Sequence, residues 1–110
     1  MSGTKLGRQT YALSKPPSIV GHGNVVGKKE GEGPLAQWFD RVEPDASFGQ
    51  SSWEKAETAM QKEALTRALK CAEASPEELD FLFAGDLLNQ CIGSSYAARD
   101  LNIPFFGLYG

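Results

Sequence analysis

The chain has 110 residues, 41% of them hydrophobic and 23% charged, which is enough for one ordinary domain and leaves no compositionally disordered region. A net charge of −3 argues against nucleic acid as the main partner, since the one adjacent basic pair, Lys28-Lys29, is followed at once by Glu30 and Glu32. Two cysteines, Cys71 and Cys91, are too few and too far apart for a disulfide scaffold, and each reads as a small buried apolar residue.

The first 18 residues read as an extended arm, with Pro16-Pro17 stopping any helix. They contain no uninterrupted apolar stretch of signal-peptide length, and no window of the chain approaches a membrane span. Ile19-Val20 and Val25-Val26 flank Gly21-His22-Gly23-Asn24, as one strand distorted near its middle or two short strands around a tight turn. Gly27 to Gly33 reads as a solvent-facing loop. Its glycines lack the lysine and hydroxyl spacing of a phosphate loop, and its two glutamates do not form a twelve-residue calcium loop. Pro34 to Phe39 reads as a short helix or turn whose Leu35, Trp38 and Phe39 share a face and anchor the loop. Asp40 to Gln50 has loop-like composition.

Ser51 can cap a helix with Glu54 three residues on, and the sequence then runs from Trp53 to about Glu73 without Gly or Pro. Trp53, Ala56, Met60, Ala64, Ala68 and Cys71 recur at spacings of three or four and define an Ala-rich face suited to close approach. Glu57 and Arg67 lie near that face. They read as boundary residues with solvent-reaching tips, or as a pairing across a subunit or domain contact. Ser75-Pro76-Glu77-Glu78 is a second capping signature with room for one turn. Phe81 to Ala84 then reads as a strand covered on both sides, ended by Gly85-Asp86. Leu87 to Gly93 is a loop or helical entry. A helix from Ser94 or Ser95 to Leu101 follows, stopped by Asn102 and Pro104, before a buried strand at 105–109. This alternation predicts an α/β fold, a mostly parallel sheet with packed helices. One sheet face is expected to be poorly covered, and ligand chemistry to lie largely beyond Gly110.

The stretch from Gly21 to Leu35, with its Gly-His-Gly-Asn and Gly-Lys-Lys-Glu-Gly-Glu-Gly-Pro runs, is joined by Phe48-Gly49-Gln50-Ser51-Ser52-Trp53-Glu54-Lys55-Ala56-Glu57. With Phe83 to Gln90 and Ile103 to Gly110, these segments resemble the stage V sporulation protein AD family over nearly the whole chain. That family is similar to the thiolase and ketoacyl synthase superfamily. The resemblance implies an incomplete N-terminal half of a thiolase-like domain over 19–110, preceded by the arm at 1–18. It implies that the superfamily's reactive cysteine would follow Gly110, so that no catalytic residue is assigned here and Cys91 is not given that role. It further implies a noncatalytic sporulation protein, present as a fragment, that takes part in dipicolinic acid binding and uptake into the developing spore. The implied partners are dipicolinic acid, as such or as its calcium chelate, other stage V sporulation operon proteins and a second copy in a homodimer. The implied location is peripheral, on the cytoplasmic side of the forespore or spore inner membrane. The enzyme alternative is a thiolase- or ketoacyl-synthase-like acyltransferase, and a third reading is a structural interaction module.

Within that frame Asn89 and Gln90 are the candidate ligand contacts, because amides match carboxylate oxygens with directional bonds. Glu57, Arg67 and Asp86 are the candidate interface residues, with Asp86 read first as capping or stabilising its turn. His22, the sole histidine, reads as a donor to a backbone carbonyl or a partner surface. Trp38 and Trp53 read as packing anchors before they read as platforms for a pyridine ring. No metal site and no cofactor are expected.

Overall fold

The computed structural model describes residues 2–88 and 90–109. Where an unpaired arm is expected, β1 (Gly3–Leu6) and β2 (Thr10–Leu13) form an antiparallel hairpin in the register Gly3↔Leu13 to Leu6↔Thr10. Its reversal uses Gly7 at φ +67°. All eight strand residues are exposed, so the element is held by backbone pairing and by the Ser14 hydroxyl, which meets the Ser2 hydroxyl and donates to the Ser2 carbonyl at its open end.

After an irregular stretch that leaves Ile19 and Val20 exposed, β3 (Val25–Val26) pairs in parallel with β4 (Arg41–Val42). The expected loop between them contains one helical turn, α1 (Lys28–Gly31), and a 3-10 turn at Ala36–Trp38. Leu35 and Trp38 do not anchor that loop: they are 59% and 72% exposed.

The long helix α2 runs over Trp53–Cys71. Its cap is Ser52 and not Ser51, since the Ser52 hydroxyl accepts from the Lys55 N–H at 3.2 Å. At the other end Glu73 takes a left-handed backbone (φ +52°), the Ala74 N–H reaches the Leu69 carbonyl and the Glu73 N–H that of Lys70. This is a Schellman closure with glutamate where glycine is usual. The Ala stripe does permit close approach. A Cβ on Gly21 would fall 2.7 Å from the Ala68 carbonyl oxygen, and one on Gly23 would fall 2.5 Å from that of Ala64. The segment before β3 therefore lies directly on the α2 backbone. Trp53 and Cys71, at the two ends of the stripe, are exposed.

The capping box at Ser75 and Glu78 starts a single 3-10 turn, Pro76–Glu78. β5 (Leu82–Ala84), α3 (Ile92–Ala98) and β6 (Phe105–Gly107) follow, with β5 and β6 parallel in the register Leu82↔Phe105 to Ala84↔Gly107. α3 starts at Ile92, two residues before the earlier expected serine. It runs into a 3-10 turn at Arg99–Leu101 that ends where Asn102 turns left-handed. The strand pleat sends Leu82, Ala84, Phe105 and Gly107 to the more buried face, where α3 packs. Phe83 and Phe106 point the other way, stack with centroids 5.2 Å apart and are 62% and 47% exposed. Coverage on both faces is thus not found, because successive side chains alternate and α3 lies on one face alone.

The architecture is α/β, with two parallel strand pairs and packed helices, the described strands forming three separate two-stranded sheets. The buried residues, Ala56, Cys91, Gly93, Ser94, Ala97 and Ala98 among those described, lie where α2, α3 and the end of β6 meet. A radius of gyration of 16.1 Å exceeds the roughly 13 Å of a compact domain of this length. The core is small and eccentric.

Candidate functional site

Ligands of open α/β sheets meet the loops beyond the carboxyl ends of parallel strands. Here those ends are close: the Leu108 N–H donates to the Ala84 carbonyl at 2.8 Å, and a Cβ on Gly85 would sit 2.7 Å from the Leu108 oxygen. Gly85, Asp86, Leu87, Leu108 and Tyr109 line a shallow cleft of about 300 Å³ at this edge.

Asp86 organises it. One carboxylate oxygen accepts from the Cys91 N–H at 3.1 Å, and the other accepts from the Ser94 N–H at 3.0 Å and the Ser94 hydroxyl at 2.8 Å. These are first-turn groups of α3 that the helix itself cannot satisfy, and a carboxylate there also complements the helix dipole. Ser94 is 1% exposed, so Asp86 supplies what solvent cannot. Gln90 and Cys91 enter the helix with φ of +46° and +69°. The buried Cys91 thiol donates to the Leu108 carbonyl at 3.2 Å and ties the start of α3 to the end of β6. Cys71, expected to be buried, is exposed at the end of α2.

Glu57 approaches from α2. One of its oxygens, Oε2, is buried without a hydrogen-bond partner among the described residues. Desolvation first, and the Asp86 charge second, push its carboxyl above the usual range, against an opposing contribution from the Leu87 N–H. Gly93 makes the approach possible, since a Cβ there would stand 3.1 Å from Glu57 Oε2. The Thr58 hydroxyl, between the Glu54 carbonyl at 2.9 Å and that of Gly93 at 3.3 Å, completes this crossing.

Arg67 belongs elsewhere. Its guanidinium pairs with Glu63 at 2.8 Å and reaches the Asp40 carbonyl at 3.4 Å. Glu63 also binds Arg41, which pairs with Glu43 and lies 4.8 Å over the Phe48 ring. This network fastens β4 to α2. Thus Glu57 and Asp86 come together and Arg67 does not join them. Gln90 is exposed and does not line the cleft, and Asn89 lies outside the described residues. His22 is exposed and forms no hydrogen bond or ion pair among the described residues, while Trp53, 62% exposed, is no packing anchor. Gly93 and Thr58 are not singled out from sequence, and Ser94 reads only as a possible helix start. The Gly-Ser-Ser run after Ile92 is the mark of Gly93 and Ser94, and it carries no chemistry until α2, with Thr58, lies against it. Among the described residues no group of three or more His, Cys, Asp or Glu side chains is placed to hold a metal ion, and no helix is long and apolar enough to cross a membrane.

A sequence model of the stage V sporulation protein AD family matches residues 7–110. Stage V sporulation protein AD of Bacillus subtilis (strain 168) is 38% identical over 104 residues, which cover 94% of this chain and 31% of that protein. The chain therefore spans about a third of the length of this curated relative. With nearly its full length matched, the chain belongs to the stage V sporulation protein AD family.

Proposed function

We propose that this chain is the N-terminal part of a noncatalytic sporulation protein that binds dipicolinic acid, alone or as its calcium chelate, and serves its uptake into the developing spore. Family membership over residues 7–110 is the observation that carries this reading. The β5–α3–β6 unit with parallel strands is compatible with a thiolase-like N-terminal half over 19–110. Neither cysteine of this chain is placed as a nucleophile: the Cys91 thiol is buried against a carbonyl, and Cys71 lies at a helix end where carbonyl oxygens gather, unlike the donor-rich surroundings of a nucleophilic thiolate. The longer protein would act peripherally at the inner membrane of the forespore or spore, with other proteins of the stage V operon and as a homodimer.

Calorimetric titration of dipicolinic acid, with and without calcium, into this chain and into the Bacillus subtilis relative tests the proposal. Saturable binding to the longer protein is expected, with binding to this chain absent or at least about tenfold weaker. No binding to the longer protein, or its turnover of acyl thioesters, would overturn the reading.

A further inference from the structure

Two carboxylates grip the segment that joins β5 to α3. Glu57, reaching across from α2, accepts from the Leu87 N–H, and Asp86 accepts from the N–H groups of Cys91 and Ser94. Between these grips the backbone turns left-handed at Gln90 and Cys91, a conformation that persists for such residues only where neighbours impose it. Cys91 passes the constraint on, because its thiol bonds the Leu108 carbonyl and Leu108 lines the cleft at the strand ends with Gly85, Asp86 and Leu87. The shape of that cleft therefore depends on both acids.

The two acids do not carry charge on equal terms. Oε2 of Glu57 is buried with no hydrogen-bond partner among the described residues, and it and Asp86 Oδ2 both lie within 3.6 Å of the point that a Gly93 Cβ would occupy. Asp86 faces Glu57 from outside α2, and Glu54 faces it from one turn back on α2. No charged residue lies between Ile92 and Ala98 on α3, and no ion pair among the described residues includes Glu57. The remaining ionisable groups on the elements packed here are the Cys91 thiol and the exposed Tyr96 and Tyr109 phenols.

We propose that Glu57 is a proton-operated latch on the β5–α3 junction: with its proton it leaves Asp86 holding residues 91–94, and without it the junction and the cleft beyond it loosen. The latch does not rest on the dipicolinic acid reading. Neutral Glu57 sets no charge against Asp86, and a proton on Oε2 gives that oxygen a bond to donate. Ionised Glu57 meets a like charge without a donor at Oε2. Relief comes by withdrawing Glu57 from the Leu87 N–H or Asp86 from Ser94, and either move frees the junction. The uncharged Thr58 hydroxyl on the Gly93 carbonyl keeps the helices crossed, so the loosening is local.

An NMR titration of the whole chain from acid to alkaline pH tests this. The Glu57 carboxyl carbon should titrate above the exposed glutamates, and the amides of Leu87, Cys91, Ser94 and Leu108 should shift with the same midpoint. Exchange protection at 91–95, corrected for the intrinsic effect of pH, should fall at least about threefold across that midpoint while the middle of α2 stays protected. In Glu57→Gln the step should vanish with protection kept high, and in Glu54→Gln it should remain. The parent's own titration is decisive even where a variant fails to fold. A Glu57 titration that leaves those amides unmoved would overturn the latch, as would a step that survives in Glu57→Gln or a loss of protection spread evenly over the chain.

Discussion

The carboxylates of Glu57 and Asp86 converge on Gly93: a methyl group placed there would lie 3.1 Å from Glu57 Oε2 and 3.6 Å from Asp86 Oδ2. Asp86 holds the first turn of α3 with three hydrogen bonds, whereas the facing oxygen of Glu57 is buried and has no hydrogen-bond partner among the described residues. The two acids therefore play opposite parts. One is stabilised by the helix start it caps, and the other is desolvated beside its neighbour's charge.

This asymmetry sets a pH dependence. The folded state raises the Glu57 carboxyl, so ionising that group costs stability. The cost is absent below the unfolded-chain value of about 4.3, grows as pH rises through it, and is complete above the raised folded value. Glu43, Asp45 and Asp100 have the opposite sign. The first two are held low by hydrogen bonds led by the Asp45 N–H and the Ser47 hydroxyl respectively, and Asp100 by its bond from Lys62. Their stabilisation is present above the unfolded carboxylate values and is lost as pH falls through the folded ones. Comparing parent and Glu57→Gln by chemical denaturation isolates Glu57. The variant should be the more stable at pH 7 and lose that advantage near pH 4, and a difference independent of pH would count against the account.

Gly93→Ala separates helix propensity from crowding. Alanine in place of a helical glycine is worth up to about 1 kcal/mol. At 3.1 Å the new methyl would press on the end of the Glu57 side chain, which must yield by a few tenths of an ångström. The gain should therefore be small in the parent and approach about 1 kcal/mol when Glu57 is first shortened to Ala. A double-mutant cycle in urea measures the coupling, and additive effects would show that Gly93 and Glu57 do not press on one another.

Asp86→Ala should cost about 1–3 kcal/mol, because it strands the N–H and hydroxyl of Ser94 in a site 1% exposed. Amide exchange should accelerate first at residues 91–95, where the lost acceptor sits. Asp86→Asn, which keeps one acceptor oxygen, should fall between. Equal losses in both variants would mean that charge and not hydrogen bonding holds the helix start.

The parts legible in sequence were those whose signal is local. α2 shows itself as a run without Gly or Pro, and the capping box at Ser75 and Glu78 forms as written. The α2 cap moved by one residue because two serines stood side by side and only backbone geometry chooses between them. The hairpin of β1 and β2 was hidden because all eight of its strand residues are exposed, so no buried face imprints a pattern. Asp86 was visible as the polar residue that ends a strand. The strained surroundings of Glu57 were not, since they arise only when α3 presents Gly93 to α2. Phe83 and Phe106 read as doubly covered because an apolar run looks the same whether one face or both are buried.

Gly23 is a close-contact position of another kind. A Cβ there would meet the Ala64 carbonyl oxygen at 2.5 Å and the Ala68 nitrogen at 2.6 Å, both atoms of the α2 backbone. Unlike a side-chain tip, a helix backbone does not swing aside, so Gly23→Ala should destabilise by about 1–3 kcal/mol. The loss should appear as a lower denaturation midpoint with exchange quickened at residues 24–26. A neutral result would show that the segment before β3 does not lie on α2 in solution.

Glu73 offers the converse case, a position where glycine should improve the protein. It occupies the left-handed site of the Schellman closure after α2, with the Ala74 N–H bonded to the Leu69 carbonyl at 3.0 Å. An L side chain in that conformation costs roughly 1–2 kcal/mol, which glycine avoids, while the added freedom of glycine in the unfolded chain returns part of the gain. Glu73→Gly should therefore stabilise by about 0.5–1 kcal/mol, read as a higher urea midpoint at unchanged slope. Glu73→Asn, which tolerates the same conformation, should recover part of it. If both substitutions destabilise instead, the glutamate side chain itself contributes a contact that outweighs the backbone strain.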